Sequence, residues 1–316
     1  MKDRLVIGSR GSKLALWQAE WVRSRLAALS PRLEVRVRVV ETSGDILKDA
    51  PLSVIGGQGA FTSGLEHALL ERRIDLAVHS LKDLPTVIPE GLALAAVTER
   101  EDPRDALVLP AGAPAVQDMS VKLLPLGARV GTSSLRRRAQ LQNLRPDLVL
   151  GGLRGNVDTR LRKLDAGEFD AVVLAAAGLR RLGLAARISA YIPTEELLPA
   201  VGQGALGLET RGDDPETIGL VAQLNHAPTR DACAAERALL RQFGAGCQVP
   251  IAAHAVVWGG ALRLEGSVAA PSGEEVLREA IEGRAEGAGW LGVELALRLQ
   301  ARGASFLLTG AAALAS

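Results

Sequence analysis

The chain has 316 residues, 47% of them apolar and 23% charged, with a net charge of +1. That length predicts two or three domains, each with its own core, and the composition is that of a soluble globular protein. Near-neutrality argues against a nucleic-acid binder, and no apolar run reaches membrane-spanning length. The opening Met1-Lys2-Asp3-Arg4 leads into a strand rather than a signal segment, which predicts a cytoplasmic protein.

In chain order, Arg4 to Gly8 reads as a strand, and Ser12 can cap a helix over Leu14 to Leu29 whose apolar residues keep helical spacing. Val35, Val37 and Val39 alternate with Arg36 and Arg38, as on a half-exposed strand. A glycine-rich loop follows from Thr42 to Ala60. Next come a helix over Ser63–Glu71, a strand at Asp75–Val78 and another at Leu92–Val97. After Glu101-Asp102-Pro103-Arg104-Asp105 the scheme repeats. Strands are expected at 106–109, near Val130, at 148–150 and at 171–174, with helices at 134–144 and 157–164. Residues 191–204 read as a return crossing. From Pro228 the order becomes helix 229–243, strands 252–258, 261–269 and 275–282, and helix 287–302. The predicted class is therefore α/β with mainly parallel sheets, followed by a smaller α+β module.

Nine arginines fall between Gly131 and Arg181 against five acidic residues, most of them at turns into helices. Because only six of the 37 basic residues are lysines, position and not number carries the signal. Helix N-termini and planar guanidinium forks both suit carboxylate or phosphate. The turns at Gly131-Thr132-Ser133-Ser134-Leu135-Arg136-Arg137, Leu153-Arg154-Gly155-Asn156, Thr159-Arg160 and Arg180-Arg181 thus describe a site for a polyanionic small molecule. Arg10, at the end of the first strand, is another basic group at such a turn or a local surface charge. His79-Ser80-Leu81-Lys82-Asp83 places an ionisable cluster just after a buried strand. It is either a solvated Lys–Asp pair or a site carboxylate at Asp83 tuned by Lys82.

Gly202-Gln203-Gly204-Ala205-Leu206-Gly207 matches the dinucleotide fingerprint, but no βαβ unit surrounds it. Gln203 there marks a hinge or a close backbone approach. The four histidines show no metal spacing, and Cys233 and Cys247 have no C-x-x-C partner, so no metal is expected. Cys233 reads as a small buried hydrophobe, whereas Cys247 lies in a Gly-rich turn closed by Pro250 that can leave its sulfur accessible.

Taken together with Thr42-Ser43-Gly44-Asp45, Leu84-Pro85, Leu198-Pro199-Ala200-Val201 and Gly246-Cys247-Gln248-Val249-Pro250, these segments resemble the hydroxymethylbilane synthase (porphobilinogen deaminase) family over nearly the whole chain. The resemblance implies two α/β domains of periplasmic-binding-protein type, residues 1–104 with 200–222 and 105–199. A smaller α+β domain, 223–316, then carries the cofactor cysteine. It implies a cytoplasmic, monomeric transferase of haem and porphyrin biosynthesis that joins four porphobilinogen molecules head to tail with loss of ammonia. The implied cofactor is a dipyrromethane on a thioether to Cys247.

By the same resemblance Asp83 is the catalytic carboxylate, facing the positive charge left when ammonia departs. Lys82, Thr132, Ser133, Ser134, Arg136, Arg137 and Arg154 hold the cofactor together with Asp83. Arg10, Ser12, Phe61, Arg160, Arg181 and Gln203 contact substrate. Each pyrrole carries an acetate and a propionate, so a growing chain needs many forks. The sequence departs from the family in the loop after Thr42: Val54, Gln58 and Ser63 occupy positions that often carry lysine.

Overall fold

The computed structural model describes residues 2–41, 62–113, 119–244 and 249–313. The chain divides into two compact units, Met1–Glu101 with Ala205–Asp231, and Asp102–Gly204 with Ala232–Ser316.

In unit 1, β1 (Arg4–Ser9), β2 (Glu34–Val39), β3 (Leu76–Ser80), β4 (Leu92–Val97) and β10 (Leu206–Arg211) form one sheet in the order β2-β1-β3-β10-β4. β1 is parallel to β2 and β3, while β10 runs antiparallel between β3 and β4. The expected parallel sheet is thus interrupted by a late strand that sequence periodicity did not reveal. All six residues of Leu206-Gly207-Leu208-Glu209-Thr210-Arg211 are buried, so the polar half of the segment does not mark a solvent face. Helix α1 (Lys13–Leu29) covers one face through Ala19, Val22 and Leu26, which pack on Leu76, Val78 and Leu208. Its cap is as expected: Ser12 Oγ accepts the Ala15 N–H at 3.3 Å. Helix α2 (Ser63–Leu70) covers the other face, with Leu65, Ala68 and Leu69 over Ala77.

In unit 2, β5 (Asp105–Val108), β6 (Arg129–Gly131), β7 (Val149–Gly151), β8 (Ala171–Ala175) and β9 (Ala190–Ile192) are ordered β7-β6-β8-β5-β9. β6 is parallel to β7 and β8, and β5 is antiparallel to β8 and β9. Helices α3 (Leu135–Leu144), α4 (Val157–Asp165) and α5 (Ala176–Arg181) follow β6, β7 and β8. Helix α6 (Pro215–Val221) belongs to unit 1, and α7 begins there at Ala227 and runs on to Gln242 in unit 2.

The end of unit 2 is an antiparallel meander, β11 (Ile251–Trp258), β12 (Ala261–Ala269) and β13 (Val276–Arg284), with α8 (Ala288–Ala301) and α9 (Ala304–Ala313) after it. Leu239 of α7, Leu264 of β12 and Leu291, Leu295 and Leu299 of α8 share its core. Helix α8 crosses α7 at Gly292, where an added Cβ would meet the Ala235 carbonyl and approach the Ala238 methyl to 2.7 Å. Backbone on one side leaves no room to yield. Gly292→Ala is expected to cost about 1–3 kcal/mol in denaturant titration, as overpacked cores do. A variant as stable as the parent would show that the two helices can separate without penalty.

Candidate active site

Parallel strands deliver their carboxyl ends to one edge of each sheet, and the loops there carry the polar residues. In unit 1, β1 ends at Ser9, followed by half-buried Arg10 and by Ser12, which is committed to its helix cap. β3 ends at Ser80 and turns directly into a 3₁₀ turn, Leu81–Asp83. Leu81 is buried and anchors the turn, Lys82 is half-buried and Asp83 is exposed. The turn is fixed on the α1 side by Gln18, whose Nε2 donates to Ser80 Oγ at 2.9 Å, and by Leu81 N–H to Ala205 O at 3.0 Å. Arg10, Lys82 and Asp83 therefore share one edge of unit 1, on neighbouring strands.

In unit 2 the same edge gathers the arginine turns. After β6, Thr132 is buried with Oγ1 accepting from the Ser134 N–H at 3.3 Å, Ser133 Oγ donates to Leu153 O at 2.9 Å, and Ser134 Oγ caps α3 by accepting the Arg137 N–H at 3.4 Å. After β7, Arg154 is exposed, and Arg160 Nε donates to Gly155 O at 2.8 Å. After β8, Arg181 Nη2 donates to Gly204 O at 2.5 Å.

Arg136 and Arg137 face inward. They are 5% and 6% exposed and converge on Asp105, which is fully buried. Arg137 donates to Asp105 Oδ1 from Nε at 3.1 Å and from Nη2 at 2.7 Å, and to Val173 O at 3.0 Å. Arg136 Nη1 stands 2.8 Å from Asp105 Oδ2, an ion pair without hydrogen-bond alignment, while donating to Leu198 O at 2.7 Å. Burial alone would raise the Asp105 carboxyl, but Arg136 and Arg137 overcome it and hold the group well below the usual carboxylate range. Two guanidiniums on one carboxylate leave a positive charge at this edge, and Arg136 Nε is buried with no hydrogen-bond partner. Such a surplus suits an added carboxylate.

Gln203 completes the cluster, its Nε2 donating to Pro103 O at 2.7 Å and to Asp105 Oδ1 at 2.9 Å. Its flanking glycines have φ of +71° and +93°, a left-handed backbone that side chains disfavour, so the Gly-Gln-Gly triplet answers to a turn and not to a nucleotide. Two residues of this network were not singled out by sequence reasoning. Asp105 lay in a quoted motif without a role. Glu236, fully buried on α7, accepts the Gly202 N–H at 2.7 Å through Oε2 and the Ala255 N–H at 2.8 Å through Oε1. Its only signal was an acid directly after the small apolar run Ala232-Cys233-Ala234-Ala235.

Cys247 and Phe61 lie outside the described residues, as does the loop with Val54 and Gln58. Cys233 is buried. Among the described residues no group of three or more His, Cys, Asp or Glu is placed to hold a metal, and no helix is long and apolar enough to cross a membrane.

Residues 5–219 match the family described as porphobilinogen deaminase, dipyromethane cofactor binding domain, and residues 231–301 match porphobilinogen deaminase, C-terminal domain. A protein named porphobilinogen deaminase from Pelobacter propionicus is 52% identical over 305 residues, 96% of this chain and 96% of its own. One of the same name from Chromobacterium violaceum is 53% identical over 306 residues, 97% of each. Among solved structures, the VFT2 domain of Bordetella pertussis BvgS aligns with 74% of this chain and 92% of its own at 14% identity. The TM-score of that alignment is 0.41.

Proposed function

The chain belongs to the porphobilinogen deaminase (hydroxymethylbilane synthase) family, and from that premise we propose how its residues divide the work. The reaction condenses four porphobilinogen molecules head to tail, with loss of ammonia at each addition and hydrolytic release of linear hydroxymethylbilane, in tetrapyrrole biosynthesis. The cofactor is dipyrromethane. When bound, it supplies the pyrrole carbon from which the chain is extended. The chemistry is that of a transferase, carried out by a cytoplasmic, monomeric protein.

Cys247 is the residue we assign to the thioether, on the strength of its Gly-Cys-Gln-Val-Pro setting, with the burial of Cys233 in keeping with that choice. The three functional modules are residues 1–104 with 200–222, residues 105–199 and residues 223–316.

The observation that carries the binding role is the pair of buried guanidiniums on Asp105. That pair gives the strand edge of unit 2 a surplus positive charge beside Thr132, Ser133, Ser134 and Arg154. These residues, with Lys82, hold the cofactor carboxylates, and Asp83 meets the cofactor through its pyrrole N–H groups. Arg10, Ser12, Phe61, Arg160, Arg181 and Gln203 serve the incoming substrate. Asp83, exposed at the end of an anchored turn, presents its carboxylate to the pyrrole nitrogen. There it stabilises positive charge as ammonia leaves and holds the proton that must move.

The deciding experiment is an intact mass of the purified protein with peptide mapping around Cys247. The expected result is a mass excess of two pyrrole units on that cysteine. A thiol still bare after incubation with porphobilinogen would overturn the assignment.

A further inference from the structure

The sheet face beneath α2 in unit 1 is not uniformly apolar. Glu66 on α2, His79 on β3 and Glu209 on β10 are 8%, 5% and 0% exposed. His79 Nε2 lies 3.0 Å from Glu209 Oε2. The register dictates this meeting: Gly207 pairs with His79 and Glu209 with Ala77, so His79 and Glu209 are diagonal neighbours on one face. Oε1 of Glu66 and Oε1 of Glu209 are buried without hydrogen-bond partners.

A charge census narrows what the cluster can be. On β10, Arg211 is already committed to Asp75, Asp214 and the carbonyls of Leu69 and Ile74. On α2, His67 is exposed. The flanking strands offer Gly8 of β1 opposite Ala77 and Leu94 of β4 opposite Glu209, neither ionisable. Among the described residues, two carboxyls thus face one imidazole in a buried layer. Two carboxylates on one imidazolium would leave an uncompensated buried charge, an expensive state. Burial beside a second carboxyl favours the neutral form of Glu66, the one of the two without the histidine contact.

Position gives the cluster its use. His79 directly precedes Ser80 and stands four residues before Asp83. Ser80 is held on the opposite face by Gln18, and Leu81 by the Ala205 carbonyl. The His79–Glu209 contact is the third tie, on the α2 side. We propose that Glu66, His79 and Glu209 form a positioning cluster that locks the end of β3 to β10 and so fixes the Asp83 turn. The inference rests on the role given to Asp83 above. A carboxylate that serves four successive additions must return to one place each time, and misplacement by about 1 Å can cost a factor of about 100 in rate.

The buried acid Glu66 makes the lock sensitive to rising pH. Burial pushes the Glu66 carboxyl up and Glu209 adds to it, while the Thr62 hydroxyl, His79 and His67 pull it back only in part. A group raised in the folded state contributes stability that is complete below its unfolded value and lost as pH rises through the folded one. Ionised Glu66 then competes with Glu209 for His79.

The test uses the cofactor-loaded protein. His79→Leu removes the donor, whereas His79→Gln keeps an N–H on a side chain of related reach. We expect His79→Leu to lose about 10- to 100-fold in kcat with KM for porphobilinogen and cofactor mass unchanged, and His79→Gln to recover part of that loss. Glu66→Gln, which mimics the neutral acid, should gain in Tm relative to the parent as pH rises above the ordinary carboxylate range. A His79→Leu enzyme with parental kcat, equal losses in the two His79 variants, or a Glu66→Gln melting curve that tracks the parent at every pH would overturn the proposal. A failure of the functional reading is distinguishable, since the parent itself would then consume no porphobilinogen. The Glu66→Gln melts would still report on the cluster if His79→Leu did not fold.

Discussion

Asp83→Asn is expected to fold, to carry the cofactor mass on Cys247, and to lose about 100- to 1,000-fold in porphobilinogen turnover, the scale seen when one preorganised charge-stabilising group is removed. The substitution keeps shape and hydrogen bonding but deletes the negative charge. Asp83 is exposed and its turn is anchored through Leu81 and Ser80, so the fold does not depend on that charge. A loss in kcat with KM little changed identifies an interaction made in the transition state. Rapid mixing with substrate, followed by intact mass, should reveal protein stalled at intermediate additions. Parental turnover in this variant would remove Asp83 from the mechanism.

Asp105→Asn carries the largest expected stability effect. The carboxylate is fully buried and is the shared counter-ion of Arg136 and Arg137, as well as an acceptor for Gln203. Neutralising it leaves two buried guanidiniums facing each other, and breaking a buried pair in this way costs about 3–5 kcal/mol. The folded-state carboxyl lies below its ordinary value, so its contribution is present above the unfolded value and disappears only as pH falls through the folded one. The parent should therefore keep this advantage over the variant at neutral pH and lose it in strong acid. Urea titration at both conditions measures it. A difference below about 1 kcal/mol at neutral pH would mean that solvent reaches the pair.

The regular elements were legible because their apolar residues repeat at the right period. Val35, Val37 and Val39 announced a half-exposed strand, and Ser12 and Ser134 announced the starts of α1 and α3. β10 was not legible, since Glu209, Thr210 and Arg211 look like a surface segment until His79, Asp75 and Asp214 are found to receive Glu209 and Arg211. The pairings with His79 and Asp75 span 130 and 136 residues of chain and leave no periodic trace. The site was legible in a similar, partial way. Strand ends marked out Arg10, Lys82, Asp83 and the turns at Thr132 and Arg154. Nothing in the run Leu135-Arg136-Arg137 says that two adjacent arginines turn inward to one aspartate, because that depends on where β5 begins relative to the end of β8.

The placement of β10 also sets an order of assembly. β3 and β4 lie next to each other in chain order but not in the sheet, because residues 206–211 fill the place between them. During synthesis the first sheet therefore waits, with unpaired edges on both strands, until more than a hundred further residues have emerged from the ribosome. By then the strands β5 to β9 of the second sheet are all available to pair. The sheet begun first is completed second, and through that interval its open edges are the nascent chain's point of exposure to aggregation.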